Sequence, residues 1–93
     1  MLSLREFIEL LINQIISEFE ITKSDLFSSK SDIAVDARIM LVGLLVRDGW
    51  SEKEICKATG WLQPRVNWLK NHFDDRMKRR SFRETYEMIK KDK

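Results

Sequence analysis

The segment from Ser51 to Lys70 constrains the fold more than any other part of this 93-residue chain. Ser51 and Glu54 form a capping-box pattern, which begins a helix, and Gly60 suits the left-handed conformation that often ends one. Pro64 suits the first turn of a second helix, because its missing N–H leaves no hydrogen bond unmade there. The order of these signals predicts two helices joined by a short turn, which is the helix-turn-helix arrangement.

Apolar residues in and beside this segment provide an interface between the two predicted helices. Trp50 and Ile55 flank the first cap as a hydrophobic staple, and Cys56 is small enough for two helices to approach closely. Trp61 lies in the turn. Residues at three- and four-residue spacing are expected to face the core from the second helix: Leu62, Val66, Leu69, Phe73 and Met77.

The sequence before this segment also has helical periodicity. Residues 1–20 predict an amphipathic helix that begins with a capping box of Ser3 and Glu6. Residues 22–30 are polar and serine-rich, which indicates a connector with one short helical turn. Asp32 is expected to cap the next helix, whose apolar residues surround most of its circumference, so this helix should be the central buried element.

The sequence after the segment predicts a short terminal helix within the basic C-terminal residues 76–93, with Ser81 and Glu84 as its capping box. Together these patterns predict an all-α fold. We expect one compact domain of five to six helices over residues 1–93, with the helix-turn-helix at residues 51–72.

Composition excludes several other kinds of protein. The chain has one cysteine, Cys56, and one histidine, His72, so neither an internal disulfide nor a zinc site is expected. No nucleophile and base are grouped as an enzyme would need, so we expect no catalysis, no metal and no cofactor. The longest apolar run, Ile39–Val46, is too short to span a membrane, and the N-terminus lacks the pattern of a secretory signal. We therefore expect a cytoplasmic protein without membrane association.

Positive charge is concentrated toward the C-terminal end. The net charge is +2, but residues 1–30 carry −2, residues 31–60 carry −1 and residues 61–93 carry +5. This polarity is expected of a domain that presents one face to phosphates, for which Arg79 and Arg80 are candidates. A basic C-terminal segment is also common as a solubilising tail.

The outward side of the second helix carries polar side chains that suit DNA. Gln63 and Asn67 can pair with adenine, and Arg65 can pair with guanine or a phosphate. Lys70 and Asn71 are candidates for contacts with the DNA backbone. The alternative is that these are ordinary solvated residues of a surface helix.

Trp68 lies on the same outward side, where so large an apolar side chain is unusual. It could contact thymine methyl groups, intercalate between bases, or bury itself in a protein partner. The interpretation we favour is that the terminal helix folds back and covers Trp68 with Phe82 or Tyr86. The apolar stripe of the N-terminal helix is expected to be core, but it is long enough to form a homodimer surface.

A resemblance to a known family covers a little over half of the chain, from about Ile21 to Phe73. These residues resemble the C-terminal DNA-binding domain of the bacterial replication initiator DnaA, which belongs to the Trp-repressor-like helix-turn-helix class. The matching segments are the connector Ser24–Lys30, the central helix Ala37–Leu45 and the motif opening Ser51–Ile55 with Gly60.

This resemblance implies that Lys30 and Arg38 contact the phosphate backbone of DNA. The family's recognition signature, Arg-Asp-His-Thr-Thr-Val, is replaced here by Trp61–Val66, so the initiator's preferred site is not implied. No nucleotide-binding segment accompanies the motif, which argues against replication initiation itself.

The sequence therefore predicts a non-catalytic protein that binds double-stranded DNA, in transcriptional or replication-related regulation. The alternative is a protein-interaction module of the same fold, which would bind a replication or transcription factor through Trp68 and the N-terminal helix. Arg65 and the neighbouring amides favour DNA, whereas Trp68, Asp74 and Asp75 favour a protein.

Overall fold

Six helices and no strand make up the part of the chain that the computed structural model describes, residues 3–91 without the side chains of Leu4 and Lys91. The helices are α1 (Leu4–Phe19), α2 (Lys23–Ser28), α3 (Asp32–Arg47), α4 (Glu52–Thr59), α5 (Gln63–Arg76) and α6 (Arg80–Lys91). The radius of gyration is 12.1 Å, which matches the value of about 12 Å expected for a compact chain of this length. The predicted all-α fold is confirmed.

Side-chain caps fix where four of the helices begin. The predicted capping boxes at Ser3 and Ser51 are both present, and Thr22 forms a third one at α2. The cap of α3 was predicted one residue too late: Ser31 accepts a hydrogen bond from the N–H of Ala34 at 3.2 Å. Asp32 is instead the first helical residue, where a negative charge also favours the helix dipole.

The core is organised around α3, which packs against α1, α2, α4 and α5. Ten of its sixteen residues are buried, as the apolar circumference of this segment predicted. Gly43 lies at the approach to α5, directly against the ring of Phe73. A glycine there allows two helices to pack with an aromatic ring between their axes.

The apolar stripe of α1 faces this same core. Ile8, Leu11, Ile12 and Ile15 are all buried within the one chain, and α1 packs on α3, α2 and α6. Among the described side chains of α1, Leu10 is the large apolar residue that stays exposed, with about half of its surface accessible. The stripe that suggested a homodimer is thus used inside the chain.

The terminal helix begins earlier than predicted. α6 starts at Arg80, so Ser81 lies inside the helix and does not form the expected capping box with Glu84. Its apolar face covers α5: the ring of Phe73 lies 5.9 Å from that of Phe82 and 5.7 Å from that of Tyr86. This places α6 on the C-terminal half of α5. Among residues 3–91, none of the helices combines the length and apolarity needed to cross a bilayer.

Candidate nucleic-acid interface

Three residues connect α4 to α5, and they set the direction of the second helix. Gly60 has a φ of 80°, the left-handed conformation that the sequence predicted, and its N–H donates to the carbonyl of Cys56 at 2.8 Å. The N–H of Trp61 donates to the hydroxyl of Thr59 at 3.2 Å. Pro64 occupies the first turn of α5. The turn is therefore held by hydrogen bonds on its α4 side and by proline on its α5 side.

The buried side of α5 agrees with the predicted spacing except at its first position. Val66, Leu69 and Phe73 are buried, but Leu62 is 76% exposed. The prediction for Leu62 was wrong because this residue is the N-cap, with an extended backbone that breaks the helical periodicity. Trp61 is buried in its place, with 6% of its surface exposed.

On the side of α5 that faces α4, the carboxylate of Glu52 binds two candidate DNA-contacting residues. It accepts hydrogen bonds from the Nζ of Lys70 at 2.8 Å and from the Nδ2 of Asn67 at 3.3 and 3.4 Å. These hydrogen bonds lower the pKa of the Glu52 carboxyl, Lys70 making the largest contribution. Glu52 is therefore ionised at neutral pH.

The hydrogen bonds continue from Asn67 to Asn71, whose Nδ2 donates to the Oδ1 of Asn67 at 3.1 Å. An ionised carboxylate can only accept hydrogen bonds. Glu52 therefore determines which way both amides face, because Asn67 must direct its nitrogen toward Glu52 and its oxygen toward Asn71. The carbonyl oxygen of Asn71 has no partner among the described residues.

On the opposite flank of α5, Arg65 packs over an aromatic side chain and has no acidic partner among the described residues. Its guanidinium lies 5.5 Å from the centre of the Trp61 ring, and the Trp61 ring lies 5.5 Å from that of Phe27 in α2. Gln63 and Lys30 are exposed, and their side chains make no hydrogen bond or ion pair within residues 3–91. The first turn of α5 carries no acidic residue and no side-chain cap.

Arg38 has a structural position that does not fit the phosphate contact implied by the resemblance. It is 3% exposed, and its guanidinium donates to the backbone carbonyls of Leu26 at 2.7 Å, Asp25 at 3.5 Å and Ser29. Burial lowers the pKa of Arg38, and the nearby charge of Arg65 lowers it further. Arg38 thus holds α2 against α3 and is enclosed by the chain.

Trp68 is not covered by the terminal helix, so that interpretation was wrong. Phe82 and Tyr86 pack on Phe73, whereas Trp68 is 45% exposed and stacks on His72 with 3.9 Å between ring centres. The Nδ1 of His72 lies 2.8 Å from the carbonyl oxygen of Trp68. The two rings form an exposed aromatic pair one turn apart on α5.

Arg79 and Arg80 lie beyond the far end of α5 from Gln63. The fourteen residues of α5 place them about 20 Å away along the helix axis. Arg79 pairs with Asp36 at 3.0 Å, and Arg80 pairs with Glu84 at 3.1 Å. The structure therefore does not bring these two arginines together with the N-terminal half of α5, and carboxylates offset part of their charge.

Glu52 is the residue of this surface that sequence reasoning missed. A signal for it was present, because Glu52 lies three residues before Ile55 and seven before Thr59, on one face of α4. Since Ile55 is buried, that face had to turn toward the core and α5. A carboxylate on this face of α4 is therefore expected to contact cations or amides of the second helix.

No known protein family, curated protein or solved structure matches this chain. Within residues 3–91, no group of three or more histidine, cysteine, aspartate or glutamate side chains is placed to hold a metal ion.

Proposed function

We propose that α4 and α5 form a helix-turn-helix that binds double-stranded DNA without catalysis, with the N-terminal half of α5 in the major groove. One observation carries the proposal: from Gln63 to Asn71 the exposed surface of α5 presents cations and amides, and no carboxylate of α5 precedes Asp74. These cations and amides are Gln63, Arg65, Asn67, Lys70 and Asn71. Arginine and amide side chains are those that read base edges in the major groove.

The position of Arg65 supports phosphate or guanine contact. A guanidinium that lies over an aromatic ring can still donate hydrogen bonds from its N–H groups to a phosphate or a base beyond the edge of the ring. Arg65 lies over Trp61, and the Trp61 ring contacts Phe27 of α2, so Arg65 is on the side of α5 that faces α2 and the connection that contains Lys30. Lys30 and Arg65 thus extend one surface from the α2–α3 connection to the start of α5, and the N-terminus of a recognition helix is the end that enters the groove.

The two asparagines suit base recognition in different ways. Asn71 keeps a free carbonyl oxygen and one N–H, which are the acceptor and donor that adenine requires. Asn67 already donates to Glu52, so its amide is held in place rather than free to rotate. We assign adenine contact to Asn71 and a supporting position to Asn67. A domain of this kind would act in transcriptional or replication-related regulation in the cytoplasm.

Fluorescence anisotropy with a labelled random-sequence duplex at 50 and 200 mM salt tests the proposal. We expect binding that weakens as salt rises, with a log–log slope of about 0.9 for each phosphate contact. Arg65→Ala should weaken binding, whereas Arg83→Ala removes the same charge from the exposed side of α6 and should leave it nearly unchanged. Absence of binding at low salt would overturn the proposal.

A second candidate function, binding of a protein partner, is favoured by the exposure of Trp68. Aromatic residues of this kind are frequent anchors of protein interfaces, and Trp68 lies on the same helix as the exposed carboxylates Asp74 and Asp75. Trp68→Ala separates the two functions. Lost DNA affinity in a folded variant would place Trp68 at the groove, whereas unchanged DNA affinity would leave it to a protein partner.

A further inference from the structure

Glu52 lies where a DNA phosphate would bind Lys70. The Nζ of Lys70 is 2.8 Å from a carboxylate oxygen of Glu52, and the same carboxylate accepts from the Nδ2 of Asn67. An ammonium beside an amide N–H is also the donor set that a phosphate oxygen takes in protein–DNA contacts. The carboxylate thus occupies the anion position on the proposed DNA-binding face.

The exposure of the pair makes this position accessible to an outside anion. The side chain of Lys70 is 40% exposed and that of Glu52 is 20% exposed, so both members of the pair can be reached from solvent. An exposed ion pair contributes little free energy, so an outside anion can compete with Glu52 for Lys70. A phosphate approaching Lys70 must either displace Glu52 or lie beside its negative charge.

We propose that Glu52 is a specificity-determining residue that opposes binding of the DNA backbone by occupying the phosphate position at Lys70 and Asn67. This inference rests on the proposed DNA-binding function. Backbone contacts supply the affinity that all sequences share, so a residue that weakens them lowers affinity for random DNA. The choice between DNA sequences then depends more on the base contacts of neighbouring side chains. The negative charge of Glu52 would thus raise specificity by repelling the phosphate backbone that all sequences share.

The test compares Glu52→Gln with the wild-type chain on a random-sequence duplex. The glutamine keeps the size of the side chain, removes the charge and so weakens the attraction that holds Lys70. We expect affinity at low salt to rise by about three- to tenfold, with a salt slope steeper by about 0.9 for the regained phosphate contact. In a Lys70→Ala background, the same substitution should no longer steepen the slope.

Glu9→Gln is the matched control. Glu9 pairs with Lys23 at 3.1 Å, in a lysine–glutamate pair that joins α1 to α2 and includes no residue of α4 or α5. The control makes the same change in net charge and also weakens the attraction that holds one lysine. It should leave DNA affinity within about twofold of wild type, since neither Glu9 nor Lys23 belongs to the proposed DNA-binding surface and salt screens the change in net charge.

The possible results distinguish a wrong role for Glu52 from a wrong DNA-binding function. Binding of wild type with equal or weaker binding of Glu52→Gln would overturn the role of Glu52 and leave the DNA-binding function intact. Equal gains in Glu52→Gln and Glu9→Gln would show an effect of net charge alone, which also overturns it. If neither wild type nor Glu52→Gln binds duplex at low salt, the DNA-binding function itself fails.

Discussion

Gly43 of α3 lies against the ring of Phe73 of α5, with no room between them for a β-carbon. The ring cannot easily move, because Phe82 and Tyr86 of α6 pack on it edge to face and the guanidinium of Arg47 lies 5.0 Å above it. The α3–α5 contact therefore depends on the absence of a side chain at one position and on an immobilised ring at the other.

Gly43→Ala should destabilise the fold. Overpacking costs about 1–3 kcal/mol, and the better helix propensity of alanine offsets about 1 kcal/mol of it, so we expect a net loss of up to about 2 kcal/mol. Urea denaturation followed by circular dichroism measures this. Asn13→Ala, at an exposed position of α1, is the control. A Gly43→Ala variant more stable than wild type would show that the Phe73 ring moves aside.

Arg38→Met should lower stability and Lys30→Ala should lower DNA affinity, although the resemblance gives both residues the same role. Arg38→Met removes the guanidinium that donates to the backbone carbonyls of Leu26 and Ser29, which should cost about 2–4 kcal/mol of unfolding free energy. Lys30→Ala should leave stability within about 0.5 kcal/mol of wild type and weaken DNA binding. Denaturation and anisotropy on both variants check this, and a stable Arg38→Met variant would contradict the structural role of Arg38.

Acid should destabilise the protein through Glu52 and Glu54. Hydrogen bonds from Lys70 and Asn67 lower the pKa of Glu52, and hydrogen bonds from the backbone and side chain of Ser51 lower that of Glu54. The unfolded chain then binds more protons than the folded chain in this range, so stability rises with pH. The contribution is fully present above the ordinary glutamate pKa of about 4.3 and is lost as pH falls through the lowered folded-state values.

Melting temperatures between pH 2 and pH 6 measure this dependence. The double variant Glu52→Gln/Glu54→Gln should show a shallower fall in acid than wild type. An unchanged profile would mean that other carboxyls control the acid transition.

Trp61→Ala and Trp68→Ala should differ in their effect on stability. Trp61 is buried under the α4–α5 turn, so its loss should cost about 3–5 kcal/mol. Trp68 is 45% exposed and stacks only on His72 among the described aromatic rings, so its loss should cost about 1 kcal/mol or less. Thermal unfolding of both variants checks the difference, and comparable losses would place Trp68 in the core.

The sequence predicted the features that depend on local signals. The caps at Ser3 and Ser51 and the left-handed Gly60 follow from residue types within a few positions of each other, and each is confirmed. The error at Leu62 has a local cause too, because an N-cap residue does not continue the periodicity of the helix that it begins. The cap at Ser31 was missed since Asp32 beside it is an equally good capping residue.

The features that the sequence did not predict depend on contacts between distant elements. Arg38 is twelve residues from Leu26, and Glu52 is eighteen residues from Lys70. No periodicity assigns a long polar side chain to a particular carbonyl or cation on another helix. The ion-pair partners of Arg79 and Arg80 were not predicted either, because net charge along the chain does not show that Asp36 or Glu84 lies beside them.

The burial of the α1 stripe within its own chain has a consequence for how DNA would be read. Palindromic operators mirror the twofold axis of the dimer that binds them. Among the described side chains of α1, the apolar stripe is buried against α2, α3 and α6 and Leu10 is the large apolar residue left exposed, so this helix offers little apolar surface to a second copy related by symmetry. A duplex bound by one α5 helix would be read in a single direction, so preferred sequences selected from a random pool should be short and asymmetric.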